Sequence, residues 1–107
     1  MIIYNIIKNK NMINILINTL KSTIDNKTYY PIILDNLYNE ILKQYLKYYN
    51  NENVGKNIIF QYLDRIYWNM VLYYKDDNSK DYFKKQIDLN IKQLLNYLDK
   101  VKNGKYK

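Results

Sequence analysis

Residues 58–74 read IIFQYLDRIYWNMVLYY, the longest apolar-looking segment of the chain. It is apolar on nearly every side of a helix. Its polar side chains form one narrow stripe, made of Gln61, Asp64, Arg65 and Asn69. A helix that is hydrophobic most of the way round belongs in the interior of a protein. We therefore expect residues 56–75 to form the central and most buried helix.

Three other segments show the three- and four-residue spacing of apolar side chains that is typical of amphipathic helices. They cover about residues 2–24, 29–49 and 79–102. Polar clusters rich in Asn and Asp separate the four segments, and such clusters are typical of turns. No stretch alternates with the period of a strand for long.

The ends of the helices carry recognisable signals. Pro31 suits the first turn of the second helix, and Thr28 is predicted to be its N-cap. Asn78 or Ser79 is predicted to cap the fourth helix. An Asn-Gly pair ends that helix, as left-handed C-caps commonly do, and begins a loose basic tail over residues 103–107.

Length and spacing together predict the fold class. The chain has 107 residues, which fits one domain, and it shows neither an internal repeat nor a linker. Four helices of about 20 residues with short connections favour an all-α, antiparallel up-down four-helix bundle.

Composition excludes most kinds of catalysis. The chain has no His and no Cys, so it lacks the usual general base near neutral pH, a thiolate nucleophile and the commonest metal ligands. Its two Gly residues cannot build a phosphate-binding loop. The acidic cluster Asp76, Asp77 and Asp81 lacks the Gly and the late Glu of a calcium loop. We predict no enzymatic activity, no cofactor and no metal site.

The residue usage indicates an extremely AT-rich genome, such as that of a virus, a plasmid, an organelle or a reduced bacterium. Asn, Ile, Lys and Tyr make up 63 of the 107 residues, and Ala is absent. Their codons consist mostly of A and T. Because mutational bias alone raises Lys and Tyr, the net charge of +7 is weaker support for nucleic-acid binding than its size suggests.

No segment resembles a secretory signal, because no basic residue precedes the apolar start and no small-residue cleavage site follows it. The longest apolar-looking stretch, residues 58–74, contains Asp64 and Arg65 and is unsuited to a membrane span. We therefore expect a cytoplasmic protein, which is not secreted and has no membrane span.

Lysines gather towards the C-terminus, where residues 76–107 hold eight Lys and five Asp. A nucleic acid would be bound by neutralising several phosphates at once. Lys, however, cannot form the bidentate contacts of Arg, and the chain has a single Arg. The same lysines also fit a solvated helix end that complements the helix dipole.

The 14 tyrosines are the second unusual feature. In each adjacent Tyr pair, one ring should lie near solvent. Arg65, Tyr67 and Trp68 supply three residue types favoured at the centres of protein interfaces. The simpler interpretation is that codon bias replaces Phe and Leu by Tyr and that Trp68 belongs to the core. Both interpretations stay open at this stage.

The order of segments resembles the small bacteriocin immunity proteins of the enterocin A immunity type. The resemblance rests on INILINTLKSTI, ILDNLYNEILKQYL, IIFQYLDRIYWNMVLYY and DYFKKQIDLNIKQLLNYL. In that family the segment entering helix three often carries a similar apolar run with an arginine, which Arg65 would match. It covers about residues 12–102. It implies a cytoplasmic four-helix bundle that protects a producer cell by binding at the inner side of the bacteriocin's membrane receptor. It also implies that the C-terminal half selects the bacteriocin.

We accordingly expect a non-enzymatic binding protein whose partner is another protein. One alternative is a small RNA-binding or assembly subunit of an organellar or viral ribonucleoprotein. Another is a viral or phage factor that inhibits a host protein. Association into a homo-oligomer is also left open. The residues predicted to contact a partner are Arg65, Tyr67, Trp68, Lys92, Lys100, Lys102 and Lys105.

Overall fold

The computed structural model describes residues 10–47 and 57–103, and within these ranges the chain is all-α, without a strand. The helices are α1 (Lys10–Asn26), α2 (Pro31–Tyr45), α3 (Ile58–Lys75) and α4 (Lys80–Lys102). A 3-10 turn over Asp77–Ser79 joins the last two helices. The all-α prediction is confirmed. The predicted first turns at residues 2–9 and the tail after residue 103 lie outside the described residues.

The junction between α1 and α2 differs from the predicted one. Helix α1 continues to Asn26, because Lys27 adopts a left-handed conformation with φ of 54°. The backbone N–H of Thr28 then donates to the carbonyl oxygen of Thr23, 3.1 Å away. This six-to-one hydrogen bond is that of a Schellman motif. Thr28 therefore ends α1 instead of capping α2, and the N-cap prediction is wrong.

Helix α2 begins at Pro31, two residues later than predicted, with Tyr30 at the N-cap position. It ends at Tyr45, and Leu46 is its C-cap. The reason for the late start is that Tyr29 is used as a buried anchor, only 3% exposed, whereas Tyr30 is 51% exposed. The prediction that one ring of this pair lies near solvent is confirmed.

The starts of α3 and α4 lie close to the predicted positions. The Asn57 side chain caps α3, because its Oδ1 accepts from the backbone N–H of Ile59 at 3.0 Å. Ser79 occupies the predicted N-cap position of α4 but makes no side-chain capping bond. The Asp76 carboxylate instead caps the 3-10 turn by accepting from the backbone N–H of Asn78 at 3.1 Å.

The core is built where α3 packs against both α2 and α4, and where α4 also packs against α1. The α3 face that is lost from solvent consists of Ile59, Phe60, Leu63, Ile66 and Met70. The buried apolar residues of α4 are Ile87, Ile91, Leu94, Leu98 and Val101. Helix α3 packs against both α2 and α4, as the central position predicted for it requires, but it exposes Leu72, Tyr74 and Trp68 to solvent.

Aromatic contacts fix the relative direction of α2 and α3. At one end the rings of Tyr30 and Tyr74 stack, with centroids 6.3 Å apart. Towards the other end, Phe60 makes edge-to-face contacts with Tyr38 at 5.2 Å and Tyr45 at 5.5 Å. Because the start of α2 meets the end of α3, the two helices run in opposite directions.

The left-handed residue that ends α1 gives a first test. A non-Gly residue in this conformation costs about 1–2 kcal/mol, so Lys27→Gly should raise the free energy of unfolding by about 1 kcal/mol. The measurement is urea denaturation followed by circular dichroism. Lys21→Gly, at an exposed position inside α1, is the matched control and should lower the stability by about 1 kcal/mol. Destabilisation by both substitutions would contradict the assignment of the C-cap.

Candidate partner-binding groove

Trp68 lies on the surface, with 54% of the residue exposed. The interpretation that placed it in the core is wrong. The reason is that α2 and α4 cover two sides of α3 and leave a third side uncovered by other described residues. That side carries exposed Asp64 and Leu72 one turn before and after Trp68.

A groove of about 270 Å³ lies between α2 and α3, next to this tryptophan. Its lining combines aliphatic, aromatic and acidic side chains. They are Leu34, Asp35 and Tyr38 from α2, and Leu63, Asp64, Tyr67 and Trp68 from α3. The two leucines are buried in the core, so they form a fixed floor. Tyr67 packs edge-on against Trp68, with ring centroids 5.3 Å apart.

The groove is locally acidic although the chain carries a net charge of +7. Burial raises the pKa of the Tyr38 phenol, and the Asp64 carboxylate across the groove raises it further. Among the side chains of residues 12–47 and 57–103, the one ion pair joins Lys80 to Asp77, at 3.9 Å. The carboxylates of Asp35 and Asp64 therefore have no ion-pair partner in the described part of the chain.

The structure separates Arg65 from the two aromatic residues with which it was grouped. Its Nη1 donates to Oδ1 of Asn90 on α4, at 3.4 Å, and its guanidinium lies 5.2 Å from the ring centroid of Tyr62. Asn90 is buried, and its amide donates to the carbonyl oxygen of Gln86 at 2.7 Å. Arg65 thus contacts α4, whereas Tyr67 and Trp68 line the groove.

The predicted lysines do not join this groove. Lys92 and Lys102 are exposed on α4, Lys100 is partly buried there, and Lys105 lies outside the described residues. None of the three described lysines belongs to the groove lining. The predicted contact residues therefore divide into an aromatic group on α3 and a basic group on α4.

The three acidic residues of the cluster that was weighed as a calcium loop lie around the start of α4. Asp76 caps the 3-10 turn, Asp77 pairs with Lys80, and Asp81 is exposed in the first turn of α4. In the described part of the chain, no group of three or more acidic side chains is placed to hold a metal ion. No described helix is both long enough and apolar enough to cross a membrane.

Comparisons with protein families, with curated proteins and with solved structures found no match to this chain. They leave the resemblance to bacteriocin immunity proteins untested.

Five of the seven groove residues were not predicted as contact residues from the sequence: Leu34, Asp35, Tyr38, Leu63 and Asp64. The two acids among them, Asp35 and Asp64, lie on different helices, so the spacing within either helix does not bring them together. One signal could have found them. The pattern Leu-Asp-x-Leu/Ile-Tyr occurs at residues 34–38 and again at residues 63–67, so both walls of the groove carry the same side chains.

The anchor that holds the α1–α2 connection against α4 gives a second test. The Tyr29 hydroxyl donates to the Asp88 carboxylate at 3.1 Å, and burial together with this carboxylate raises the pKa of Tyr29 to about 12. Between pH 10 and about 12 the unfolded chain loses this proton while the folded chain keeps it. The hydrogen bond therefore stabilises the fold fully below pH 10, and this contribution disappears as the pH rises to about 12.

Tyr29→Phe should lower the free energy of unfolding by about 1–2 kcal/mol at neutral pH, because the partly buried Asp88 loses its donor. The variant should also lose less stability than the wild type when the pH is raised from 9 to 12 (about the range in which an ordinary and a raised phenol titrate). Urea denaturation across this range checks both points. Tyr82→Phe, at a site 59% exposed, is the control that should follow the wild type. Parallel curves for all three proteins would refute the role of Tyr29.

Proposed function

We propose that this protein is a non-enzymatic protein-binding module, and that it acts as an immunity protein of the bacteriocin type. The observation that carries the proposal is the exposure of Trp68 beside Tyr67, at the rim of an aromatic groove. Interface residues whose truncation costs most are enriched in Trp and Tyr. Trp68 is exposed next to exposed Leu72 and partly buried Tyr67 on the same helix, and an exposed apolar patch of this kind is typical of a protein-interaction site.

The resemblance supplies the finer parts of the proposal. The four helices form an antiparallel up-down bundle, and the opposite directions of α2 and α3 support this arrangement. The partner is the cytoplasmic face of a bacteriocin's membrane receptor. The exposed side of α3 that carries Trp68 forms the recognition surface, within the C-terminal half that the resemblance implies is selective.

The proposal predicts that a sensitive bacterium expressing this chain resists one cognate bacteriocin. Trp68→Ala should weaken capture of the partner by about tenfold or more, because truncating a central interface tryptophan typically costs 2 kcal/mol or more. Survival across a bacteriocin panel and a quantitative pull-down measure the two effects. Tyr82→Ala, which removes an equally exposed aromatic ring from α4, should retain both.

Circular dichroism of the Trp68→Ala variant must remain that of the wild type for the comparison to count. If the folded variant still protected the cell fully and captured the partner fully, Trp68 would not belong to the interface. Capture of a soluble host protein, with no protection against any bacteriocin, would instead favour a viral or phage factor that inhibits a host protein.

RNA binding is a second candidate function, favoured by the exposed lysines of α4. Lys85 and Lys92 lie two turns apart on one face of that helix. The exposed acids Asp81 and Asp99 flank them on the same face, which lowers the positive charge density that an RNA backbone would meet.

This candidate predicts that the logarithm of the RNA affinity falls linearly with the logarithm of salt concentration. Lys85→Gln combined with Lys92→Gln should reduce the magnitude of that slope by about 1–2, because each lysine accounts for roughly one released counterion. Fluorescence anisotropy with a labelled RNA gives the slope. An affinity that is independent of salt, or a slope that ignores both lysines, would exclude this face.

A further inference from the structure

Two copies of one short pattern face each other across the α2–α3 groove. Residues 34–38 read LDNLY and residues 63–67 read LDRIY. In both copies the first and fourth positions are buried, the second and third are exposed, and the tyrosine is partly buried. Because α2 and α3 run in opposite directions, the two copies are related by a local approximate two-fold axis.

The duplicated pattern places the same chemistry on both walls. Each wall contributes one carboxylate, Asp35 or Asp64, and one tyrosine ring, Tyr38 or Tyr67. Trp68 adds a third aromatic ring on the α3 side only. Carboxylates attract a cation, and the faces of aromatic rings attract it as well. A negatively charged or purely apolar ligand would gain from only part of this lining.

The chain itself does not neutralise these carboxylates. Asp35 and Asp64 are exposed, and neither makes an ion pair or a hydrogen bond in the described part of the structure. This is notable in a chain with 17 cationic side chains. Both carboxylates are therefore available to a cationic group that a partner presents.

We propose that the α2–α3 groove binds an arginine side chain presented by the protein partner. This inference rests on the proposed function as a protein-binding module and names the chemistry of its partner. The volume of about 270 Å³ lies just below the range of roughly 300–1,000 Å³ that is usual for small-molecule pockets, so it suits a side chain. Arginine fits better than lysine, because its planar guanidinium stacks on aromatic rings and binds carboxylates through two donors.

Charge also argues against two other occupants. A nucleic acid would bring phosphates towards two carboxylates, which would repel it. A second copy of this chain offers a single arginine, Arg65, which is already engaged with Asn90 and Tyr62. A segment of another protein that carries an arginine is the occupant that the groove complements.

Trp68 makes this inference directly measurable, because it is the only tryptophan of the chain and lies at the groove. The full-length protein is titrated with N-acetyl-arginine amide at constant ionic strength, and Trp68 emission is recorded. The neutral isostere N-acetyl-citrulline amide is the matched probe. We expect a saturable change with the arginine probe, and an affinity for the citrulline probe that is lower by about tenfold.

Two double variants with the same change in charge locate the binding site. Asp35→Asn with Asp64→Asn should weaken arginine binding by about tenfold, because both charge-assisted contacts are lost. Asp25→Asn with Asp99→Asn, at exposed positions outside the groove, should stay within about twofold of the wild type. Circular dichroism and urea denaturation verify that both variants are folded.

Each other outcome overturns the inference. Equal binding of citrulline and arginine would show that charge is not recognised, and equal weakening in both double variants would indicate general electrostatics. A flat titration would show that the groove does not take arginine. If the flat titration accompanied Trp68-dependent capture of a protein partner, the proposed function would stand without this inference. If Trp68 emission changed with protein concentration in the absence of any probe, the occupant of the groove would be a second copy of the chain.

Discussion

The burial of one face of α3 against α4 is the constraint on which the other features depend. Ile66 and Met70 of α3 and Ile91 and Leu94 of α4 are all exposed by 0%, and the two helices share the most extensive packing among the described elements. Once this face is fixed, helical geometry decides where every other α3 side chain lies. Asp64 and Trp68 must then point away from α4, and Tyr67 lies at the edge that α2 covers.

Much of the fold follows from the sequence because apolar spacing reports which helix face is buried. The four segments, the loop positions and the split between Tyr29 and Tyr30 were all predictable on that basis. The ends of the helices were less predictable from the sequence. Lys27 adopts a conformation that a sequence pattern assigns to Gly or Asn, and Tyr29 leaves the helix because Asp88, 59 residues later, holds its hydroxyl. Such tertiary contacts override local preference.

The groove was only half predictable, for a related reason. Tyr67 and Trp68 could be singled out by residue type, but the interpretation of Trp68 depended on which side of α3 stays uncovered. Asp35 and Asp64 lie on different helices, so a search for acids on one helix face could not pair them. Only the pairing of α2 with α3 brings their walls together. The five-residue pattern that occurs in both helices is the feature of the sequence that indicates this pairing.

The charges of the whole chain and of the groove have opposite signs, and this opposition shapes how a partner would approach. The net charge of +7 repels a cationic segment at long range, while two carboxylates attract its arginine at short range. Salt screens interactions beyond a Debye length of about 8 Å more strongly than contacts inside a groove. Rising salt would therefore weaken the repulsion more than the attraction. A phosphate backbone near the α4 lysines would be attracted by the net charge at long range and by the lysines at short range. Rising salt would therefore weaken its binding at both ranges. The two faces of this molecule are thus suited to opposite kinds of electrostatic partner.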